Sequence, residues 1–254
     1  ITKNKQNHLD KNGNYHLINA EEIFIAKNVT IAPNVVLDAS EGPIFIDDNS
    51  TIMPNAVIYG SAYVGKNSLI KVGAKIYQGV SIGKFCKVGG EVVNTIFQAY
   101  SNKQHDGFLG HSYIGEWVNL GADTNNSNLK NNYKKVKVYF YPERKYIDTE
   151  LQFFGMIIGD HSKTGINTMF NTGCVVGGGC SLYSADLFTG LIPSFSWGSA
   201  SNLRDYRVNK MLETTRIVKK RRGLTLDKFE EKILEKCFYD SKKLRVIFNR
   251  KKNG

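Results

Sequence analysis

Among the five histidines of this 254-residue chain, His105 stands in a polar, glycine-flanked stretch, Tyr100-Ser101-Asn102-Lys103-Gln104-His105-Asp106-Gly107-Phe108-Leu109-Gly110-His111, that no hydrophobic core requires. An imidazole takes up and releases a proton near neutral pH, so a histidine so placed is a candidate acid or base. Alone, a loop histidine is more often an ordinary surface residue. Its weight here comes from the residues downstream of it: Leu109-Gly110, then Ile114-Gly115, then Val118-Asn119-Leu120-Gly121-Ala122, then Asn128. Asn119 and Asn128 offer donors and acceptors suited to hydroxyl groups, although asparagine also caps turns in repetitive β-structure. Four cysteines raise the question of metal or disulfides, and their positions answer it. Cys86, Cys174 and Cys180 each fall in a slot taken elsewhere by a small buried residue, which makes them packing residues and free thiols, with no metal expected.

That slot belongs to a repeat. An aliphatic residue recurs at every sixth position, Ile46, Ile52, Ile58, Val64, Ile70, Ile76, Ile82 and Val88, with a small or slim residue four places after each, from Ser50 to Val92. A period of six fits neither an amphipathic helix nor a lone strand. It fits a chain that turns a corner every six residues, closes a coil after three sides, and pairs each coil with the next about 4.8 Å away. The predicted class is all-β, a parallel β-helix. The frame fails twice, near 94–113 and near 129–157, and insertions in solenoids tend to form the binding face. His105 lies in the first failure.

Residues 1–22 read as a lead-in, 23–200 as the β-helix and 201–254 as a basic helical extension, with helices predicted over 203–222 and 225–248. Leu226, Phe229, Ile233, Leu234, Cys237 and Phe238 give the second helix its apolar spacing. The extension carries 17 Lys or Arg against 7 Asp or Glu, which is nearly all of the net charge of +11. Most of this reads as a solvated face; part of it could attract a polyphosphate such as CoA, and no aromatic-basic interleaving supports nucleic acid. No stretch is apolar enough to insert in a membrane and no leader begins the chain, so the expected location is the cytoplasm, while a start at Ile1 suggests sequence upstream.

The motifs around His105 and Asn119, together with Gly159-Asp160-His161-Ser162-Lys163, resemble the acetyltransferase domain of the bifunctional UDP-N-acetylglucosamine pyrophosphorylase/glucosamine-1-phosphate N-acetyltransferase family. The resemblance spans about residues 20 to 200 and implies a left-handed parallel β-helix of hexapeptide repeats. It implies N-acetylation of a hexosamine 1-phosphate, glucosamine 1-phosphate foremost, with acetyl-CoA as co-substrate, in UDP-N-acetylhexosamine biosynthesis. The family's nucleotidyltransferase domain, which precedes this one, is not in the sequence.

Carried over by position, the resemblance makes His105 the general base, Asn119 and Asn128 the sugar ligands, Lys71 and Lys87 the phosphate ligands, and Ala122, Ile166 and Asn167 contacts to acetyl-CoA. Three positions depart from the family. Phe108 replaces a tyrosine, Lys71 replaces an arginine and so loses the bidentate grip, and Ile166 replaces a serine. In the family the second insertion reaches a neighbouring subunit, and a three-sided prism suits three-fold packing, so a homotrimer with sites between subunits is expected. Two other classes share such a fold: a zinc enzyme of the γ-carbonic anhydrase type and a non-catalytic scaffold.

Overall fold

A chain with one aliphatic residue in six can bury all of them by winding around them, and this is what the computed structural model, which describes residues 6–252, contains. The architecture is the expected left-handed parallel β-helix of hexapeptide repeats with a C-terminal helical extension. Its first face is a six-stranded sheet from His16–Ile18 to Phe108–Gly110. The second has nine strands from Ile23–Ile25 to Leu191–Ile192. The third runs from Thr30–Ile31 to Ser196–Gly198, where Leu203–Asp205 closes it by antiparallel pairing. Asn125–Asn126, Met169–Phe170 and Leu187–Phe188 form a short separate sheet in the later coils.

The repeat residues Ile52, Ile58, Ile70, Ile76, Ile82 and Val88 are fully buried in one continuous core. Each is worth about 1.5–3 kcal/mol of apolar burial. Asparagines supply many corners: Asn28, Asn34, Asn49, Asn55 and Asn67 all take positive φ, a conformation their short polar side chain tolerates.

The first failure of the frame is not the expected insertion. Val57 pairs with Lys75, eighteen residues on, but Lys75 pairs with Glu91, Ser81 with Ile96, and Glu91 with Phe108, steps of sixteen, fifteen and seventeen. Residues 94–113 therefore stay in the prism, and the sixfold count breaks because these coils are short. The second failure does leave the prism. Lys137–Phe140 and Lys145–Asp148 form an antiparallel hairpin whose Val136 and Val138 pack on Val175 and Leu191 of the same chain. The Tyr146 hydroxyl accepts the Leu191 N–H at 3.0 Å and ties the hairpin to its own coil.

Helix α1 spans Val208–Lys220 and α2 spans Lys228–Lys252. The helix predicted from 203 starts later because Leu203–Asp205 is used to cap the open end of the third sheet. Leu226, Leu234 and Phe238 pack around Phe195, Met211 and Leu212, whereas Phe229, Ile233 and Cys237 are exposed, so only part of the predicted apolar stripe faces the core. Arg245 of α2 is buried on the ring of Phe238, 4.4 Å from its centroid, and bonds the Ser194 and Phe238 carbonyls at 3.2 and 3.0 Å. This packs the extension onto the last coil.

Candidate functional site

Successive coils stack their corners, and the corner that leads from the third face to the first collects five of the residues singled out in the sequence. Lys71, His105, Ala122, Ile166 and Asn167 all follow a third-face strand, in four successive coils apart from the glycine corner at Gly89-Gly90. Backbone bonds hold the stack in register: Asp123 N–H donates to the Asp106 carbonyl at 3.1 Å, and Asn167 N–H to the Ala122 carbonyl at 2.8 Å. Gly107, with φ 114°, backs directly onto Thr124, where any side chain would collide with the Thr124 carbonyl. The imidazole of His105 is exposed and meets no hydrogen-bond partner among the described residues. Ile166, 70% exposed, is among the most open apolar side chains of the molecule.

Behind His105 lies a charge for which the sixfold count has no place. Lys103 occupies an inward position, pairing with Val88 and Leu120 on either side, and is 1% exposed. Its ammonium donates to the His105 carbonyl at 2.8 Å and, more weakly, to the Gly89 carbonyl at 3.4 Å. Burial brings its pKa down to about 8, against the opposing pull of Asp106 and Asp123. A buried lysine whose hydrogen bonds go to a corner fixes that corner.

On the first face, the side chains of Phe108 and Asn128 both lie against Gly110. The ladder changes character here: Asn125 Oδ1 accepts the Phe108 N–H at 2.7 Å, and Asn126 bonds both the N–H and the carbonyl of Gly110, at 2.8 and 3.0 Å. Side-chain amides thus replace a backbone ladder and part the strands. The amide of Asn128 meets His111 Nδ1 at 2.9 Å, and His111 stacks on Phe153 from the second insertion with centroids 5.3 Å apart. Burial lowers the His111 pKa, which favours the neutral ring.

On the third face an outward polar row runs Lys87, Asn102, Asn119, Lys163. Asn102 links to Asn119 at 3.5 Å. Burial first, then the charges of Arg222, Lys71 and Arg221, lower the pKa of Lys87; burial alone brings Lys163 down to about 8. Asn119 and Asn128 are therefore not side by side. They lie on different faces, with the His105 corner between them.

The remaining corner carries a column of rings, Phe85, Tyr100, Trp117 and His161, all at positive φ. Tyr100 and Trp117 stack at 4.2 Å, and His161 follows Trp117 at 6.3 Å. His161 is half-buried under this stack, where burial first and then Lys163 and Lys219 hold its pKa down to about 3. His105, His111 and His161 thus sit at three different corners of the prism, and among the described residues no three His, Cys, Asp or Glu side chains converge as metal ligands would.

No family model matches the chain. An uncharacterized acetyltransferase of Escherichia coli O6:K15:H31, YaiX, is 30% identical over 165 residues, which are 64% of this chain and 69% of that protein. The bifunctional protein GlmU of Methanocaldococcus jannaschii is 36% identical over 90 residues, 35% of this chain and 21% of that protein, so the chain matches about a fifth of that relative's length. Among solved structures, the Arabidopsis UDP-N-acetylglucosamine acyltransferase overlays 85% of this chain and 77% of that one, at a TM-score of 0.40 and 11% identity.

Proposed function

This chain belongs to the hexapeptide-repeat acetyltransferases, and we propose on that premise that it transfers the acetyl group of acetyl-CoA to the amino group of a hexosamine 1-phosphate. Glucosamine 1-phosphate is the first candidate, and the chain would act in UDP-N-acetylhexosamine synthesis as the C-terminal part of a bifunctional sugar-phosphate nucleotidyltransferase/acetyltransferase. One observation supports this most: the corner that presents an open His105 also aligns Lys71, Ala122, Ile166 and Asn167 in neighbouring coils.

In this reading the His105 imidazole takes a proton from the substrate ammonium or attacking amine. The nitrogen bonds to the thioester carbonyl carbon, and the C–S bond then breaks to give the amide and CoA thiolate, which recovers the proton. Lys71 and Lys87 neutralise the phosphate, Asn119 and Asn128 take sugar hydroxyls, and the ring of Phe108 packs on the sugar where a hydroxyl would otherwise bond. Ala122, Ile166 and Asn167 line the acetyl-CoA arm. Asn119 and Asn128 lie on different faces of one chain, and in this proposal the complete site forms at the seam between chains of a homotrimer. The exposed Ile166, Met169 and Leu187 provide apolar surface for that seam.

A thiol-release assay with acetyl-CoA tests the substrate class, using glucosamine 1-phosphate, galactosamine 1-phosphate and their 6-phosphate isomers. Release with a 1-phosphate and not with its 6-phosphate isomer is the expected pattern. Failure of every amino sugar phosphate to release CoA would overturn the proposal.

A further inference from the structure

The C-terminal extension delivers a charge to the third face that the rest of the fold does not neutralise. Helix α1 is capped by Arg221, Gly223 turns the chain with φ 71°, and between them Arg222 donates to Asn102 Oδ1 at 3.0 Å across 120 residues of sequence. Asn102 is the link between Lys87 and Asn119 in the outward row, and Lys71 follows the neighbouring strand Leu69–Ile70 on the same side.

Basic residues at a helix C-terminus can serve the helix itself by complementing its dipole. Here the last turn of α1 already carries Lys219 and Lys220, and the ion pairs of the extension are made by other side chains. Lys210 pairs with Glu213, Arg216 with Glu231 and Lys219 with Glu230. Among the described residues no carboxylate pairs with Lys71, Lys87, Arg221 or Arg222. The four cations are close enough that Lys71, Arg221 and Arg222 all bear on the titration of half-buried Lys87. Like charges gathered without a counter-charge raise the energy of the unliganded fold, and an anion bound among them relieves it. Guanidinium and amide side by side are also a usual pair for a phosphate, the first as a planar fork and the second as a neutral donor.

We infer that Arg222, held by Asn102, completes a phosphate-binding site with Lys71, Lys87 and Arg221 on the third face, so that the C-terminal extension supplies part of ligand recognition. The anion site stands on these contacts alone; its assignment to the sugar phosphate rests on the function proposed above. A phosphate monoester occurs both on a sugar phosphate and at the 3′ position of CoA, and the two sources are separable by experiment.

The test is calorimetric binding to the full chain, with no turnover required. The ligands are inorganic phosphate, glucosamine 1-phosphate, glucosamine, CoA and 3′-dephospho-CoA. Arg222→Ala should weaken phosphate and glucosamine 1-phosphate by about tenfold while leaving glucosamine unchanged, and Arg222→Lys should recover part of the loss. Asn102→Asp, which places a carboxylate in the cluster, should weaken the same ligands if Arg222→Ala folds poorly. A loss seen with CoA and absent with 3′-dephospho-CoA supports the anion site and assigns it to the co-substrate. Wild-type affinity for inorganic phosphate in a folded Arg222→Ala variant overturns the inference, as does wild-type protein that binds none of the phosphates. Because binding is read directly, an inactive enzyme that still binds phosphate through Arg222 contradicts only the proposed reaction.

Discussion

Replacing Lys103 by methionine keeps the volume of an inward side chain and removes its charge. Lys103 is 1% exposed, and burial takes its pKa from 10.5 to about 8. At 1.36 kcal/mol per unit the folded state bears about 3 kcal/mol for keeping this ammonium charged at neutral pH. Proton counts set the direction of the effect. Between pH 8 and 10.5 the unfolded chain holds the proton and the folded chain has lost it, so stability rises with pH across that window. Below pH 8 both states are protonated and the full penalty applies. Methionine does not titrate, so the stability difference between variant and wild type should shift by about 2–3 kcal/mol between about pH 7 and pH 10, in the variant's favour at the lower pH. Against this stands the loss of the bonds to the His105 and Gly89 carbonyls, about 1–3 kcal/mol for each buried acceptor left unpaired. That loss is the same at both pH values and cancels from the shift. Urea unfolding of the two proteins at about pH 7 and 10, with equal m-values, provides the measurement. Other titrating groups are common to both chains. An identical stability difference at the two pH values would refute the reasoning, since it would mean that burial does not penalise the Lys103 ammonium.

Individual contacts carry further expected outcomes. Burial raises the pKa of Cys86 and Cys174 to about 12 and that of Cys180 to about 11, whereas Cys237 is exposed, so a thiol reagent at about pH 8 should label one cysteine in the folded chain and four in denaturant. Tyr146→Phe removes the acceptor of the buried Leu191 N–H and should cost about 1–3 kcal/mol in thermal or urea unfolding. Phe170, buried and stacked on Phe188 at 5.5 Å, should cost about 3–5 kcal/mol when replaced by alanine.

The periodic part of the fold is legible because each coil of eighteen residues repeats the same inward pair, and Ile46 to Val88 keep that count. It ceases to be legible where the coils shorten. At fifteen to seventeen residues per coil the inward column passes through Val88, Lys103 and Leu120, which a sixfold count places out of phase. That is why 94–113 reads as an insertion and why Lys103 has no role in a count of sixes. A step of fifteen in place of eighteen puts a buried lysine in an apolar column. The corner grouping of Lys71, His105, Ala122, Ile166 and Asn167 is implicit in the order of the motifs, but the separation of Asn119 from Asn128 is not, since nine residues along a coil turn from one face to another. Arg222 is beyond the reach of local pattern: nothing at a helix end says that it will bond Asn102, 120 residues earlier.

His105 is the residue on which the proposed chemistry depends, and its exposed ring makes no bond among the described residues that its removal would break. Thiol release from acetyl-CoA with glucosamine 1-phosphate, compared between wild type and His105→Ala at matched thermal stability, is the most direct test. A wild-type rate that falls by about a hundredfold or more in the variant, with little change in KM, is the result expected for loss of a general base. Turnover undiminished in His105→Ala would contradict it.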